Sequence, residues 1–352
     1  MNELYFSIGE MPAVLYGDKS DSLYFFVHGK HGHKEEARAL AEVVCPRGWQ
    51  VLGVDLPGHG SRQGEKDACV PWRVVPELQA VLASLREHWR QIALQANSIG
   101  AWFSLLAFPD ERLEKCLFVS PVVDMVQLIQ RMMQWESISQ ETLERLGSVK
   151  TSFGETLSWQ YYQYAIAHPI ARWPSPTAVL YPERDNLTPR QEVEAFAQRF
   201  SWDLSVAAEG EHWFHTPEQR EVLARWLMAY GPLPPEEALF FQGRPEELVL
   251  YAVFRSRLLF QVGAAGIKVQ KSQITFSGKY GFAFVSHPRR KWDRGILVSF
   301  GLFYRQASPR IRYAVEPYPG RWTHHLLVQR KEEIDDELMG WLTEARWFAD
   351  AK

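Results

Sequence analysis

Up to about Tyr230, short runs that are apolar at nearly every position alternate with longer stretches in which apolar residues recur every three or four positions. The runs are SLYFFVHG (22–29), WQVLGVDLPG (49–58), RQIALQAN (90–97), KCLFVSP (115–121), PTAVLYPERD (176–185) and WDLSVAAEG (202–210). Strands covered on both faces have this character, because neither face meets water. Between them, HKEEARALAEVV, VVPELQAVLASLREHW and TPRQEVEAFAQRF have helical spacing. The alternation predicts a mostly parallel sheet with helices on both sides, in which ligands bind beyond the carboxyl ends of the strands.

The pattern changes once, at GPLPPEEA, where a glycine and three prolines interrupt a helix as linkers do. A first domain over 1–231, a linker over 232–239 and a second domain over 240–352 follow from this. In the second, PEELVLYAVFRSRLLFQV has the spacing of a helix. It is followed by strands IKVQKSQITF, YGFAFVSH, GILVSFGLFY, RIRYAVEP and WTHHLLVQ and a closing helix, EEIDDELMGWLTEARWFA. Strands grouped between two helices predict an α+β domain.

Composition narrows the class. The chain has 352 residues, 46% hydrophobic and 23% charged, as ordered globular proteins have. The amino-terminal stretch has acids where a signal peptide has bases, and no apolar run reaches the ~20 residues of a membrane span, so a cytoplasmic protein is expected. Cys45, Cys69 and Cys116 cannot all pair and none lies in a CxxC, which fits free thiols in a reducing compartment. Charge is uneven: 18 of the 39 basic and 13 of the 42 acidic residues follow Leu233, leaving the first part at −8 and the second at +5. Between Arg255 and Arg330, 14 Lys and Arg residues face only Asp293 and Glu316 and are interleaved with aromatic rings. A single-stranded nucleic acid or another anion would fit such a surface. A meander with rings toward the core and bases toward water gives the same pattern; His324 and His325, beside Arg321 and Trp322, fit its rim.

Candidate chemistry lies at the predicted strand ends. RQIALQAN runs into Ser98-Ile99-Gly100 and then a helix, placing a serine at a sharp strand-to-helix turn. A serine needs a base to become a nucleophile. Asp185 follows one later strand and His212 the next, in the order Ser, Asp, His; Glu183 and Asp124 compete for the acid and His215 for the base. His28, His31 and His33 are close enough to suggest zinc, but no cysteine or carboxylate beside them completes a ligand set. Asp55 and His59 in DLPGHGSR fit a turn, and Cys116 fits the core.

Together these pieces resemble the α/β-hydrolases of the bacterial serine esterase, lysophospholipase and monoacylglycerol-lipase-like branch. The resemblance rests on HGKHG, VDLPGHGSR, NSIG, ERDNLTP and GEHWFHTPEQ, in the family's order. It implies an eight-stranded, mostly parallel sheet with a small helical cap over about 122–174. It further implies a triad of Ser98, Asp185 and His212, an oxyanion hole from the amides of Lys30 and Ile99, and hydrolysis of a small-molecule acyl substrate without metal or cofactor. The motif departs from GxSxG at Ala96. In the cap, Met125, Leu128, Met132, Met133, Trp135, Trp159, Tyr161 and Tyr162 would line the site or pack it onto the sheet. From about Phe240 to Ala351 the chain resembles a small bacterial C-terminal domain without established activity. The alternative reading is a hydrolase scaffold without chemistry whose basic domain binds nucleic acid or another anionic partner.

Overall fold

The computed structural model of the protein describes all residues except 66, 67, 289, 291 and 352. It contains two compact units, Met1–Ala224 and Arg225–Lys352.

The first unit opens with a hairpin that the apolar pattern does not reveal, β1 (Glu3–Ile8) and β2 (Met11–Tyr16), because β1 is mostly exposed and β2 carries Pro12. The predicted runs follow as β3 (Ser22–Val27), β4 (Gln50–Val54), β5 (Gln91–Asn97) and β6 (Cys116–Val119). Helices α1 (Arg38–Val44), α2 (Pro71–His88) and α3 (Ile99–Ala107) connect them. An insertion then holds α4 (Met125–Trp135), α5 (Gln140–Leu146), the short antiparallel pair β7 (Ser148–Lys150) and β8 (Thr156–Ser158), and α6 (Trp159–Ala167). The sequence predicts helix from Phe153; instead Thr156–Ser158 pairs as a strand, and the helix starts where the Ser158 side chain caps the Tyr161 amide. The chain returns to the sheet through β9 (Thr177–Pro182), α7 (Arg190–Phe200), β10 (Asp203–Ala207) and α8 (Pro217–Tyr230).

These strands form an eight-stranded sheet in the order β1-β2-β4-β3-β5-β6-β9-β10, in which only the pairings of β2 are antiparallel. Order reverses around β3, so the crevice of the sheet opens between the ends of β3 and β5. Register decides what meets there. Val27 lies beside Ala96, Asn97 beside Val119, Val119 beside Leu180, and Pro182 beside Ala207. The segments that follow β3, β5, β9 and β10 therefore leave the sheet along one edge.

The second unit continues with α9 (Pro235–Phe240) and α10 (Pro245–Arg257). Its antiparallel sheet, β11-β12-β13-β14-β16-β15, comprises β11 (Gly266–Val269), β12 (Ile274–Ser277), β13 (Gly281–Ser286), β14 (Ile296–Leu302), β15 (Ile311–Tyr318) and β16 (Arg321–Val328). The stretch IKVQKSQITF, expected as one strand, is two: the polar residues between Val269 and Ile274 form a turn, and Gln270 donates its amide to the Gln273 carbonyl at 2.9 Å. Helix α11 (Asp336–Asp350) buries Leu338, Leu342 and Ala345 in the core that also holds Phe254, Phe276, Val298 and Phe300.

Much of the basic charge of this unit is spent internally. Arg310 donates to both carboxylate oxygens of Asp335 at 3.0 Å, Arg312 pairs with Asp293 at 2.7 Å and Arg257 with Asp336 at 2.7 Å. Buried Arg255 donates to Glu237 at 2.7 Å. His324 is buried, with its Nε2 accepting the Gln306 amide at 2.9 Å, so it is a core residue where the sequence suggests a rim. Arg289 and Lys291, counted among the basic residues, lie outside the described set.

Gly340 sits inside α11 with nothing within 4 Å of the position a Cβ would take. Glycine costs a helix interior about 0.5–1 kcal/mol relative to alanine. Gly340→Ala should raise the urea midpoint of the second unit by a corresponding amount, and a lowered midpoint would contradict the described packing.

Candidate active site

The turn between β5 and α3 places Ser98 at φ 51° and ψ −121°, a backbone region that side-chain-bearing residues rarely occupy. Neighbouring backbone holds it there. The Ser98 amide donates to the Val119 carbonyl at 3.0 Å, and its own carbonyl accepts the Val122 amide at 3.1 Å. Two glycines allow the close approach: a Cβ on Gly100 would lie 2.3 Å from the His28 carbonyl oxygen, and one on Gly29 would lie 3.1 Å from Ser98 Cβ. Ala96, by contrast, lies within β5, fully buried between Val27 and Phe118.

From this turn Ser98 Oγ reaches His212 Nε2 at 2.8 Å, and His212 Nδ1 reaches Asp185 Oδ2 at 2.8 Å. Asp185 is inaccessible to solvent, whereas His212 retains 16% of its side-chain exposure. Burial pushes the Asp185 carboxyl up. The hydrogen bond and charge interaction with His212 and the amides of Leu187 (2.7 Å) and Thr188 (3.1 Å) outweigh it, so the acid sits below its ordinary pKa; the Thr188 hydroxyl also donates to it at 2.9 Å. An ionised Asp185 accepts Nδ1–H, which leaves Nε2 as the acceptor for the serine hydroxyl proton.

On the other side of the turn, His28 is fully buried. Its Nε2 accepts the Leu56 amide at 3.0 Å, which leaves Nδ1–H to donate to the Gly29 carbonyl at 2.7 Å. Burial holds the ring neutral, with a pKa lowered to about 4. The neighbouring Lys30 side chain pairs with Glu155 of the insertion.

The sequence-level rivals have other partners. Asp124 caps α4 by accepting the Gln127 amide at 3.0 Å, and Glu183 pairs with Arg190 at 2.8 Å. His215 bonds the Trp213 carbonyl at 2.8 Å and stacks on that indole. Of the imidazoles that suggested a metal, His28 is occupied by backbone and His33 by Glu35 at 2.8 Å. Among the described residues, no three His, Cys, Asp or Glu side chains are arranged to hold a metal ion, and no helix is long and apolar enough to cross a membrane. Of the insertion's apolar residues, Met125, Leu128, Met133 and Tyr162 are buried in the core, while Trp135 is half exposed.

Comparison with known proteins agrees with this architecture. Residues 18–163 match the family described as serine aminopeptidase, S33. Est1E from Butyrivibrio proteoclasticus superposes with a TM-score of 0.54 at 17% identity, over 65% of this chain and 96% of that one. Mouse alpha/beta hydrolase domain-containing protein 10 does so with a TM-score of 0.51 at 18% identity, over 64% and 96%. The first unit has the α/β-hydrolase fold. Residues 240–346 match a separate domain of unknown function, DUF5655. No curated protein matches the chain.

Within the first unit, two features are not legible in the sequence. The buried pair of Lys34 and Asp55, 2.7 Å apart, ties the β3 loop to the β4 loop. The His28 side chain, for which the sequence offers only a metal reading that lacks a complete ligand set, is a backbone clamp. The pair HG at a strand end was the available signal for it; Lys34, on a helical-looking stretch, gave none.

The state of His28 has a pH consequence. Its folded pKa of about 4 lies below the ordinary 6.5, so between these values the unfolded chain binds a proton that the folded one does not. The stability it contributes is complete above about 6.5 and is lost as pH falls toward 4, in total roughly 3 kcal/mol. A pH titration of the ring by NMR should show a midpoint near 4; a midpoint near 6.5 would contradict the buried neutral ring.

Proposed function

We propose that the hydrolase unit is a serine hydrolase that cleaves a carboxylic ester, or a related acyl bond, of a small molecule through an acyl-enzyme. One observation carries this reading: the continuous chain from Ser98 Oγ through His212 to Asp185, with 2.8 Å at each link. Ser98 Oγ attacks the acyl carbon while His212 Nε2 takes the hydroxyl proton, and Asp185 stabilises the imidazolium that results. Collapse of the tetrahedral species expels the alcohol, which receives that proton from His212. Water then attacks the acyl-enzyme, again deprotonated by His212, and returns the serine with release of the acid.

The developing oxyanion needs donors. The Ile99 amide is one, lying at the first position of α3, where unsatisfied amides and the helix dipole favour negative charge. The Lys30 amide is the other. His28 Nδ1–H, and the Gly32 amide at 3.2 Å, hold the carbonyl end of the Gly29–Lys30 peptide. In a trans peptide the N–H points the opposite way, so His28 fixes the direction of the Lys30 donor. The insertion supplies an apolar neighbourhood. Tyr161 stacks on Trp102, one turn past the nucleophile, with centroids 5.7 Å apart. Trp102 is buried, so Tyr161 is the ring of this pair available to an aromatic or short apolar acyl group.

A fluorophosphonate probe should label Ser98 in the wild type and fail to label Ser98→Ala. On esters graded by acyl size, Asp185→Asn should keep the fold and lose about 10³–10⁴ in kcat, since the amide disfavours the required tautomer. A folded wild type that resists the probe and hydrolyses no ester would remove the proposal.

A further inference from the structure

The insertion between β6 and β9 reaches the loop that carries the acid. Arg131 on α4 donates through Nη2 to the Leu187 carbonyl at 2.9 Å and to Glu192 Oε2 at 3.2 Å, and through Nη1 to Glu192 Oε1. Glu192 lies in the first turn of α7, directly after that loop. The Leu187 carbonyl is one end of the Leu187–Thr188 peptide. Its other end, the Thr188 amide, donates to Asp185 Oδ1 at 3.1 Å.

A peptide unit is planar and stiff, so Arg131 and Asp185 grip opposite ends of one plate. A donor on the carbonyl also polarises the N–H at the far end and strengthens its bond to the carboxylate. The next carbonyl, that of Thr188, accepts from the Tyr181 hydroxyl at 2.9 Å. That restraint comes from β9 itself, whereas Arg131 enters from the insertion. Its side chain is only 19% exposed, and its Nε is buried without a hydrogen-bond partner. A largely enclosed guanidinium with one buried donor unsatisfied is a poor device for stability alone.

We infer that Arg131 is a positioning residue that, through the Leu187–Thr188 peptide, fixes the Asp185 carboxylate against His212. The insertion thus braces the acid of the site. The effect on rate rests on the serine hydrolase reading; the effect on the imidazole rests on geometry alone.

Arg131→Met removes the fork and keeps most of the bulk, while Arg131→Lys keeps charge and a single donor. The far-downfield proton resonance of His212 Nδ1–H reports its bond to Asp185 whether or not the protein turns over a substrate. It should be present in wild type, shifted upfield or lost in folded Arg131→Met, and partly restored in Arg131→Lys. Fluorophosphonate labelling of Ser98 and kcat on an ester should fall about 10–100-fold in Arg131→Met, with KM changed less than about threefold, as expected for a misplaced catalytic group. An unmoved resonance in the folded variant overturns the inference, and so does a changed KM at unchanged kcat, which would make Arg131 a substrate-binding residue. A shifted resonance in a protein whose wild type resists the probe would leave the brace standing and remove the hydrolase reading. If Arg131→Met does not fold, Glu192→Gln loosens the same guanidinium more gently, and an unmoved resonance there overturns the inference equally.

Discussion

At Gly100 the helix after the Ser98 turn runs so close to β3 that even a methyl group would sit 2.3 Å from the His28 carbonyl oxygen. This approach governs the rest of the site. It brings the end of β3, with its Gly29–Lys30 peptide, beside the strained turn at Ser98, so that the serine hydroxyl and neighbouring amides share one corner of the sheet. Strain of this kind costs on the order of 1–3 kcal/mol and persists only where the surroundings over-determine it. Here the Val119 carbonyl, the Val122 amide and the two glycines do so. The departure from GxSxG falls at Ala96, within the strand, where its neighbours are ordinary sheet partners.

This geometry explains which parts were legible in the sequence. Strands buried on both faces are apolar at nearly every position, so β3 to β6 and β9 stand out without any structure, and the edge strand β10 carries a weaker form of the same mark. Parallel register then carries their carboxyl ends to one edge, which is why Ser98, Asp185 and His212 could be read as a group from 114 residues of chain. The hairpin of β1 and β2 has no such mark, since exposed Leu4 and Tyr5 lie on a strand with little to bury. Short pairings such as β7 with β8 depend on a partner several residues away, and local spacing at Phe153–Trp159 suits a helix as well. Arg131 was invisible for a different reason: its partners are a backbone carbonyl and Glu192, 61 residues on, and nothing in the local pattern distinguishes it from a solvated arginine.

The second unit shows the limit of reading charge by count. An excess of bases over acids between Arg255 and Arg330 suggests an open cationic face, yet Arg310 and Arg257 close onto acids of the final helix and its approach, which lie beyond that window. Sequence distance hides the neutralisation. What remains of the field is weaker than the tally implies, and nothing in these pairings favours an anionic partner over ordinary sheet packing.

Two aspartates with buried side chains in the first unit meet the same desolvation cost in different ways. Asp55 accepts the Lys34 amide, the Lys34 ammonium and the Ser61 amide at 2.7 to 2.9 Å, and its cation is itself buried. Its charge is balanced within the pair, so it can only hold two loops together. Asp185 is equally hidden, but the partner that balances it is an imidazole with a second nitrogen turned to a serine and some exposure to solvent. A carboxylate held ionised by fixed amides stabilises positive charge on that ring only when a proton arrives. Under the proposed reading the arrangement is complete only during proton transfer, which is what would set it apart from a buried salt bridge.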